Sequence, residues 1–402
     1  MVTSWKKFKE ILINRKGLGT IGLADVLGSV ISAIFWFFLA SIIKPDEYGE
    51  IFYFISIVSV AFTLSTVGTL NTTIVFSAKG KQLESTLNTI SLLFGVVASL
   101  VLIIIFYQID IIILLFGYII NTLALGFLLG KKFYPKYAIF VLLQKIFTVI
   151  IGISFFYIFG ADGIILALGI SYFGVLFIII NSYRKSPIKF QEFKKNNRFI
   201  WHNYSIKAIG MIKENVDKII IVPLIGFSSL GNYALALQFI AILSISNMII
   251  GKYFLIHDSQ DVHNKKLKKY FVAFNICVGI TASISLPIIV PYIFPQFTEI
   301  GILAIMSLSV IPTAIIVVKT SELLGNEKSA VVVIGALISS ITVVVSMLIL
   351  VPIFGITGGA ISFVLSPSFQ AVYYILRSKN LLFKIYIFAC AISFLYKNKN
   401  SA

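Results

Sequence analysis

Charge is scarce in this chain, and acidic charge is scarcest. Only 12% of its 402 residues are charged, and 16 acids stand against 33 bases. A soluble globular chain carries about 25% charged residues. With 58% hydrophobic residues and a mean hydropathy of +0.99, water is excluded as the solvent of most of the chain. Cysteine is nearly absent. Cys277 and Cys390 both fall inside apolar runs and read as small buried hydrophobes, without disulfide or metal spacing. The three histidines, His202, His257 and His263, fall in or beside polar loops, away from any ligand-spaced Cys or Asp. No phosphate-binding GxxxxGK[ST] loop occurs, so energy comes from gradients or from the substrate itself. Period-2 alternation is also missing from the apolar runs, which excludes a barrel and leaves helices. No metal or cofactor is expected.

What is present is a series of apolar runs. Charged punctuation divides them into about twelve spans: 18–43, 51–76, 87–107, 110–130, 138–159, 162–182, 204–227, 231–254, 270–292, 298–319, 329–353 and 357–376. A further apolar segment, 380–396, carries Lys384 and is read as an interfacial tail. Lys and Arg gather before the first span and after every even one, as in Lys6, Lys7, Lys79, Lys131, Lys136, Arg184, Lys195, Lys268 and Lys319; the alternate loops contribute Lys44 alone. The positive-inside rule then puts the N-terminus in the cytoplasm. It also accounts for the formal charge of +17 without nucleic acid. The expected organisation is an interfacial helix (1–17, Trp5, Phe8 and Leu12 on one face), a six-span lobe (18–182), a basic cytoplasmic linker (183–203), a second six-span lobe (204–377) and a tail (378–402).

The two halves repeat. Gly49, after span 1, matches Gly231, after span 7; Gly160 and Gly163 between spans 5 and 6 match Gly355 and Gly358 between spans 11 and 12. Six spans per half make the repeat parallel, the arrangement in which a transporter binds at the interface of the halves and rocks. Short outer turns favour glycine for their own reasons, which is the plainer account of the same residues.

Ionisable groups inside a span are costly and commonly face a cavity or a partner. Here they are Lys145 in span 5, Lys207, Lys213, Glu214, Asp217 and Lys218 in span 7, Lys252 in span 8 and Asp25 in span 1. Lys213 with Asp217, and Glu214 with Lys218, are also i,i+4 pairs able to neutralise each other, and Lys207 is near enough to a span end to snorkel. Asp25 suits a lysine partner or a coupling cation. Ser56, Ser59, Thr63, Thr66 and Thr73 form a hydroxyl stripe on span 2, read as helix packing. Asn71, Gln238 and Asn247 are candidate hydrogen-bonding partners for a glycan. Five intramembrane lysines against three carboxylates leave a net basic interior, suited to phosphate or pyrophosphate and poorly suited to a cationic drug.

Three segments carry a family resemblance. KPDEYGEI resembles the Leu-Gly-Pro-x-x-Tyr-Gly-x-Tyr turn of polysaccharide-biosynthesis (O-antigen-type) flippases. KENVDKIIIVPLIGFSSLGNYALALQ resembles the start of their second half, and PIFGITGGAIS their Pro-x-x-Gly-x-x-Gly-Ala-Ala turn. Lys44-Pro45 for Gly-Pro, Ser41 where a basic residue is common, and Gly359 for Ala depart from the pattern. The family belongs to the multidrug/oligosaccharidyl-lipid/polysaccharide exporter superfamily. The resemblance implies a V-shaped all-α bundle with a central cavity in a prokaryotic cell membrane. It implies a monomeric, non-enzymatic flippase moving polyprenyl-(pyro)phosphate-linked oligosaccharide outward, working beside a polysaccharide polymerase and glycosyltransferases. A cation-coupled multidrug exporter of the same superfamily is the alternative. A membrane transferase is disfavoured by the very short outer loops.

Overall fold

The computed structural model describes residues 2–67, 70–185, 187–258 and 264–377. Side chains of residues 2–18, and of Lys185, Lys252, Ile256 and His257, lie outside the description, as do His263, Cys390 and the tail 378–402. The described chain is helical throughout. Its first half comprises α1 (Val2–Ile42), α2 (Pro45–Ser65), α3 (Leu70–Ala78), α4 (Glu84–Phe106), α5 (Asp110–Gly130), α6 (Tyr134–Phe159), α7 (Gly163–Ser171), α8 (Leu176–Lys185) and α9 (Phe190–Lys195). Then follow α10 (Asn197–Leu243), α11 (Ile245–Asp258), α12 (Lys265–Ile293), α13 (Ile302–Ser307), α14 (Val310–Gly325), α15 (Ser329–Phe354) and α16 (Ile356–Arg377). Ten helical segments among the described residues are long and apolar enough to cross a bilayer, and two of them, of 51 and 47 residues, have the length for two crossings each. The protein is an all-α, multi-pass membrane protein.

Several boundaries differ from the sequence reading, each for a local reason. The N-terminal helix runs into the first span without a break, giving one helix of 41 residues. Helix α2 starts earlier than expected because Pro45 occupies its first turn and the Glu47 carboxylate accepts the Lys44 N–H at 3.1 Å, a capping box with proline at N1. The expected span 51–76 is broken after Ser65. Part of the expected linker is helical, as α9 and the first residues of α10. Spans 7 and 8 both lie in α10 but are two helices that meet at Gly226, just after Pro223, where the backbone is non-helical (φ +87°, ψ 176°), close to the expected end of span 7 at 227. Cys277, expected buried, is exposed on a helix whose outward residues, such as Phe274, Ile280 and Ile284, are apolar; that face suits lipid.

The chain divides into two compact units, 1–238 with 293–298, and 239–292 with 299–402. Inside each unit the same pairings recur. Helix α3 packs on α5, α6 on α7 and α5 on α7; likewise α11 packs on α14, α15 on α16 and α14 on α16.

Glycine geometry repeats in the same register. Gly160 and Gly355 both take left-handed backbone (φ +71° and +59°) at the ends of α6 and α15. Three residues on, Gly163 lies against the carbonyl of Phe155 and Gly358 against that of Leu350, leaving no room for a Cβ. The step from Gly160 to Gly355 also carries Gln144 to Ser339 and Ser171 to Ser366. Gln144 donates to Ser171 at 3.3 Å, and Ser339 pairs with Ser366 at 2.7 Å. It carries Lys132 to Glu327, and these two non-glycine residues share left-handed backbone (φ +60° and +59°). A second close approach lies within the first unit. A Cβ on Gly49 would strike the carbonyl of Phe227, and one on Gly231 would strike the carbonyl of Pro45. The contact is reciprocal, each glycine facing the residue four before the other. Small residues at a helix crossing let backbones approach where no water drives association.

Candidate functional site

The sequence candidates separate into two groups within the first unit. One lies on the seam of α1 and α6. The Tyr137 hydroxyl donates to Asp25 Oδ1 at 2.9 Å. Along the same seam, the stem of Lys145 lies against Gly28, whose missing side chain makes the space. Lys145 is half-buried and has no hydrogen-bond or ion-pair partner among the described residues. Gly152 admits the ring of Phe35 at the same interface. Two titratable groups of opposite sign thus share one interhelical seam.

The other group lies on α10. Lys207 and Glu214, two turns apart, form a 3.8 Å ion pair whose side chains are 47% and 64% exposed, a contact of little energetic weight. Asp217 is buried and accepts from Lys218 Nζ at 3.0 Å, from the Lys218 N–H at 2.9 Å and from the Tyr233 hydroxyl at 2.9 Å. Lys218 Nζ also donates to the Glu214 carbonyl at 2.5 Å. The expected i,i+4 pairs are therefore replaced. Asp217 takes its sequence neighbour Lys218 because Tyr233, fully buried, fixes the other carboxylate oxygen. Lys213 is partly buried on the same helix.

The polar candidates diverge. Asn71 is exposed and Gln238 partly buried. Asn247, in the second unit, is buried with neither amide atom partnered, a costly arrangement for a merely structural side chain. The span 2 hydroxyls bond to their own helix: Ser56 to Phe52, Ser59 to Ile55, Thr63 to Ser59 and Thr66 to Phe62. Thr73 packs where Gly126 leaves room.

Sequence reasoning missed a charged cluster in the second unit. Lys268 Nζ lies 2.7 Å from both Asp258 carboxylate oxygens and 3.3 Å from Glu322 Oε1. Lys319 Nζ meets Glu322 Oε2 at 2.9 Å, and the Ser321 hydroxyl donates to Asp258 at 2.7 Å. By charge alone Lys268 and Lys319 read as loop lysines at span ends, yet their side chains are 7% and 2% exposed. The available signal was Asp258 and Glu322, isolated acids at otherwise lysine-rich span ends. The first unit holds a smaller counterpart at its own lysine-rich end, where Glu84 meets Ser77 at 3.1 Å and Lys131 at 3.6 Å. Gly130 makes room for Ser77 there, as Gly325 does for Asp258.

Two clefts accompany these clusters in the first unit. One of about 720 Å³ lies between Gly80–Leu83 and Ile188–Glu192. The other, about 400 Å³, runs from Lys131 and Lys136 to Phe140 and Phe177. Neither is lined by a sequence-predicted site residue.

Solved structures with this fold are membrane transporters. The structure matches an inward-facing multidrug-resistance MATE family transporter of the MOP superfamily at TM-score 0.62 and 14% identity, covering 87% of this chain and 93% of that one. It matches the lipid II flippase MurJ, in an inward closed conformation, at TM-score 0.67 and 15% identity, over 90% and 87% of the two chains. A third match is a MOP superfamily transporter from Pyrococcus furiosus, described by the reverse polarity of its binding pocket, at TM-score 0.62, 15% identity and 90% and 94% coverage. At these identities the likeness is one of fold. No protein-family model and no curated protein matches the chain.

Proposed function

We propose that this protein is a flippase that moves a polyprenyl-phosphate- or pyrophosphate-linked oligosaccharide between leaflets by alternating access. Its lysine-rich helix ends face the cytoplasm of a prokaryotic cell, and transport runs from inner to outer leaflet. The observation that carries the reading is Lys145, an ammonium on the α1–α6 seam with no partner among the described residues. A lysine held within membrane-spanning helices and in no ion pair among the described residues suits an anion that arrives and leaves. Lys207, in an exposed ion pair with Glu214, and Lys213 are the further cationic candidates on α10, and Lys218 is paired with Asp217. Asn71, Gln238 and Asn247 are the proposed glycan contacts. The lipid tail stays in hydrocarbon, no cofactor takes part, and a monomer suffices. A polysaccharide polymerase and glycosyltransferases are the natural neighbours of such a step.

One observation favours the second reading, a cation-coupled multidrug exporter: Asp25, half-buried and held by Tyr137 on the α1–α6 seam, is an acidic group inside a span. The two readings part in one experiment. Proteoliposomes are loaded with a fluorescent polyprenyl-pyrophosphate oligosaccharide and challenged with an impermeant quencher. Protein-dependent exposure of the inner-leaflet pool is expected, falling about tenfold or more in a Lys145→Ala, Lys207→Ala variant. No exposure, with or without proton and sodium gradients, together with transport of a cationic drug, overturns the proposal.

A further inference from the structure

The 400 Å³ cleft of the first unit has the chemistry of a lipid site. Its apolar lining is Phe127, Leu128, Phe133, Ile139, Phe140, Phe177 and Ile178, and its polar lining includes Lys131, Lys136 and Asn181 together with the Glu84 carboxylate. Phe140 and Phe177 pack with centroids 5.5 Å apart. Ile139 and Phe177 remain 54% and 48% exposed, so the apolar lining continues onto the outer surface of the bundle. The polar lining sets two lysines against one carboxylate. Lys136 rests over the Phe133 ring at 5.4 Å and meets no carboxylate. Lys131 gives part of its charge to Glu84, at 3.6 Å, and lies over Phe127 at 5.9 Å. Asn181 is exposed, with no hydrogen-bond partner among the described residues.

The turn itself does not require these lysines. The second unit builds the equivalent turn with Asn326 and Glu327, at nearly the same left-handed backbone as Lys132. Lys131 has a structural partner in Glu84, whereas Lys136 lies over Phe133 in no ion pair among the described residues.

We infer that this groove binds an anionic diacyl phospholipid of the leaflet at the lysine-rich end. Its phosphate sits among Lys131, Lys136 and Asn181, and one acyl chain lies along Phe140 and Phe177. Basic pockets between membrane helices hold anionic headgroups in this way, and the aromatic lining supplies the apolar contact. The site is separate from Lys145 and Lys207, so it stands even if the transported molecule is not the one proposed. Its occupant is a resident lipid rather than cargo.

The test is native mass spectrometry of the full chain in detergent, with equimolar phosphatidylglycerol, phosphatidylcholine or undecaprenyl phosphate. Selective retention of phosphatidylglycerol is expected, weakened about fivefold by each of Lys131→Ala and Lys136→Ala and unchanged by Lys81→Ala. Equal retention of phosphatidylcholine, or indifference to the two lysines, overturns the inference. So does stronger retention of undecaprenyl phosphate through the same lysines, which would make the groove a substrate port. Because Lys131→Ala strips a partner from Glu84, a second readout leaves both lysines in place. A Phe177→Trp chain is expected to be quenched by brominated phosphatidylglycerol beyond the level of its three native tryptophans, and more than by brominated phosphatidylcholine. Equal quenching by the two lipids also overturns it.

Discussion

Replacing Lys268 by methionine tests the charged cluster of the second unit directly. The ammonium touches both oxygens of Asp258 at 2.7 Å and Glu322 at 3.3 Å, and its side chain is 7% exposed. Among the described contacts, Lys268 and Lys319 face Asp258 and Glu322. Methionine keeps most of the apolar stem but leaves two carboxylates to share Lys319. Breaking a buried ion pair by deleting one partner costs about 3–5 kcal/mol. At about 2–4 °C per kcal/mol, the expected fall in unfolding temperature is on the order of 10 °C. The assay is thermal unfolding of the purified protein in detergent. Removing the partner as well, in Lys268→Met with Asp258→Leu, should recover much of the loss, because a well-packed apolar pair substitutes for a buried ionic one at little cost. A single variant within about 2 °C of the parent would refute the reasoning. A double variant whose loss is the sum of the singles would refute it as well.

Other outcomes follow from single contacts. Gly49→Ala and Gly231→Ala each drive a methyl into a carbonyl of the opposing helix, and each is expected to cost about 3 kcal/mol; normal folded yield on size-exclusion chromatography for either would show that the crossing is slack. Asn247→Leu removes a buried amide without partners, so it should raise stability by about 1–3 kcal/mol while lowering flipping. Unchanged flipping would remove Asn247 from the substrate path. Thr148→Val strips one hydroxyl from the Gln144–Thr148–Ser171 network and should cost about 1–2 kcal/mol by the same unfolding assay.

The membrane class was legible because composition alone decides it, and so were the repeat glycines. Gly160 with Gly355, and Gly163 with Gly358, matched by position and then proved to share backbone geometry. A turn needing positive φ leaves a residue-specific mark. Boundaries were unevenly legible: Pro223 and Gly226 mark a real helix break near the expected end of span 7, whereas the break after Ser65 lies inside the expected span 51–76. Partner choice was least legible. The i,i+4 rule offered Lys213 to Asp217, yet Tyr233, sixteen residues away, redirected the carboxylate. Likewise, charge alone could not separate Lys268, sealed among acids, from a solvated lysine.

The crossing of Gly49 and Gly231 gives the chain an internal alignment that needs no relatives. The step between them carries Lys44, just past the end of α1, to Gly226, the kink of α10. It also carries Asp25 to Lys207. Exchanging them, Asp25→Lys with Lys207→Asp, leaves composition and net charge untouched. Such a protein asks whether the scaffold is indifferent to which arm carries which sign.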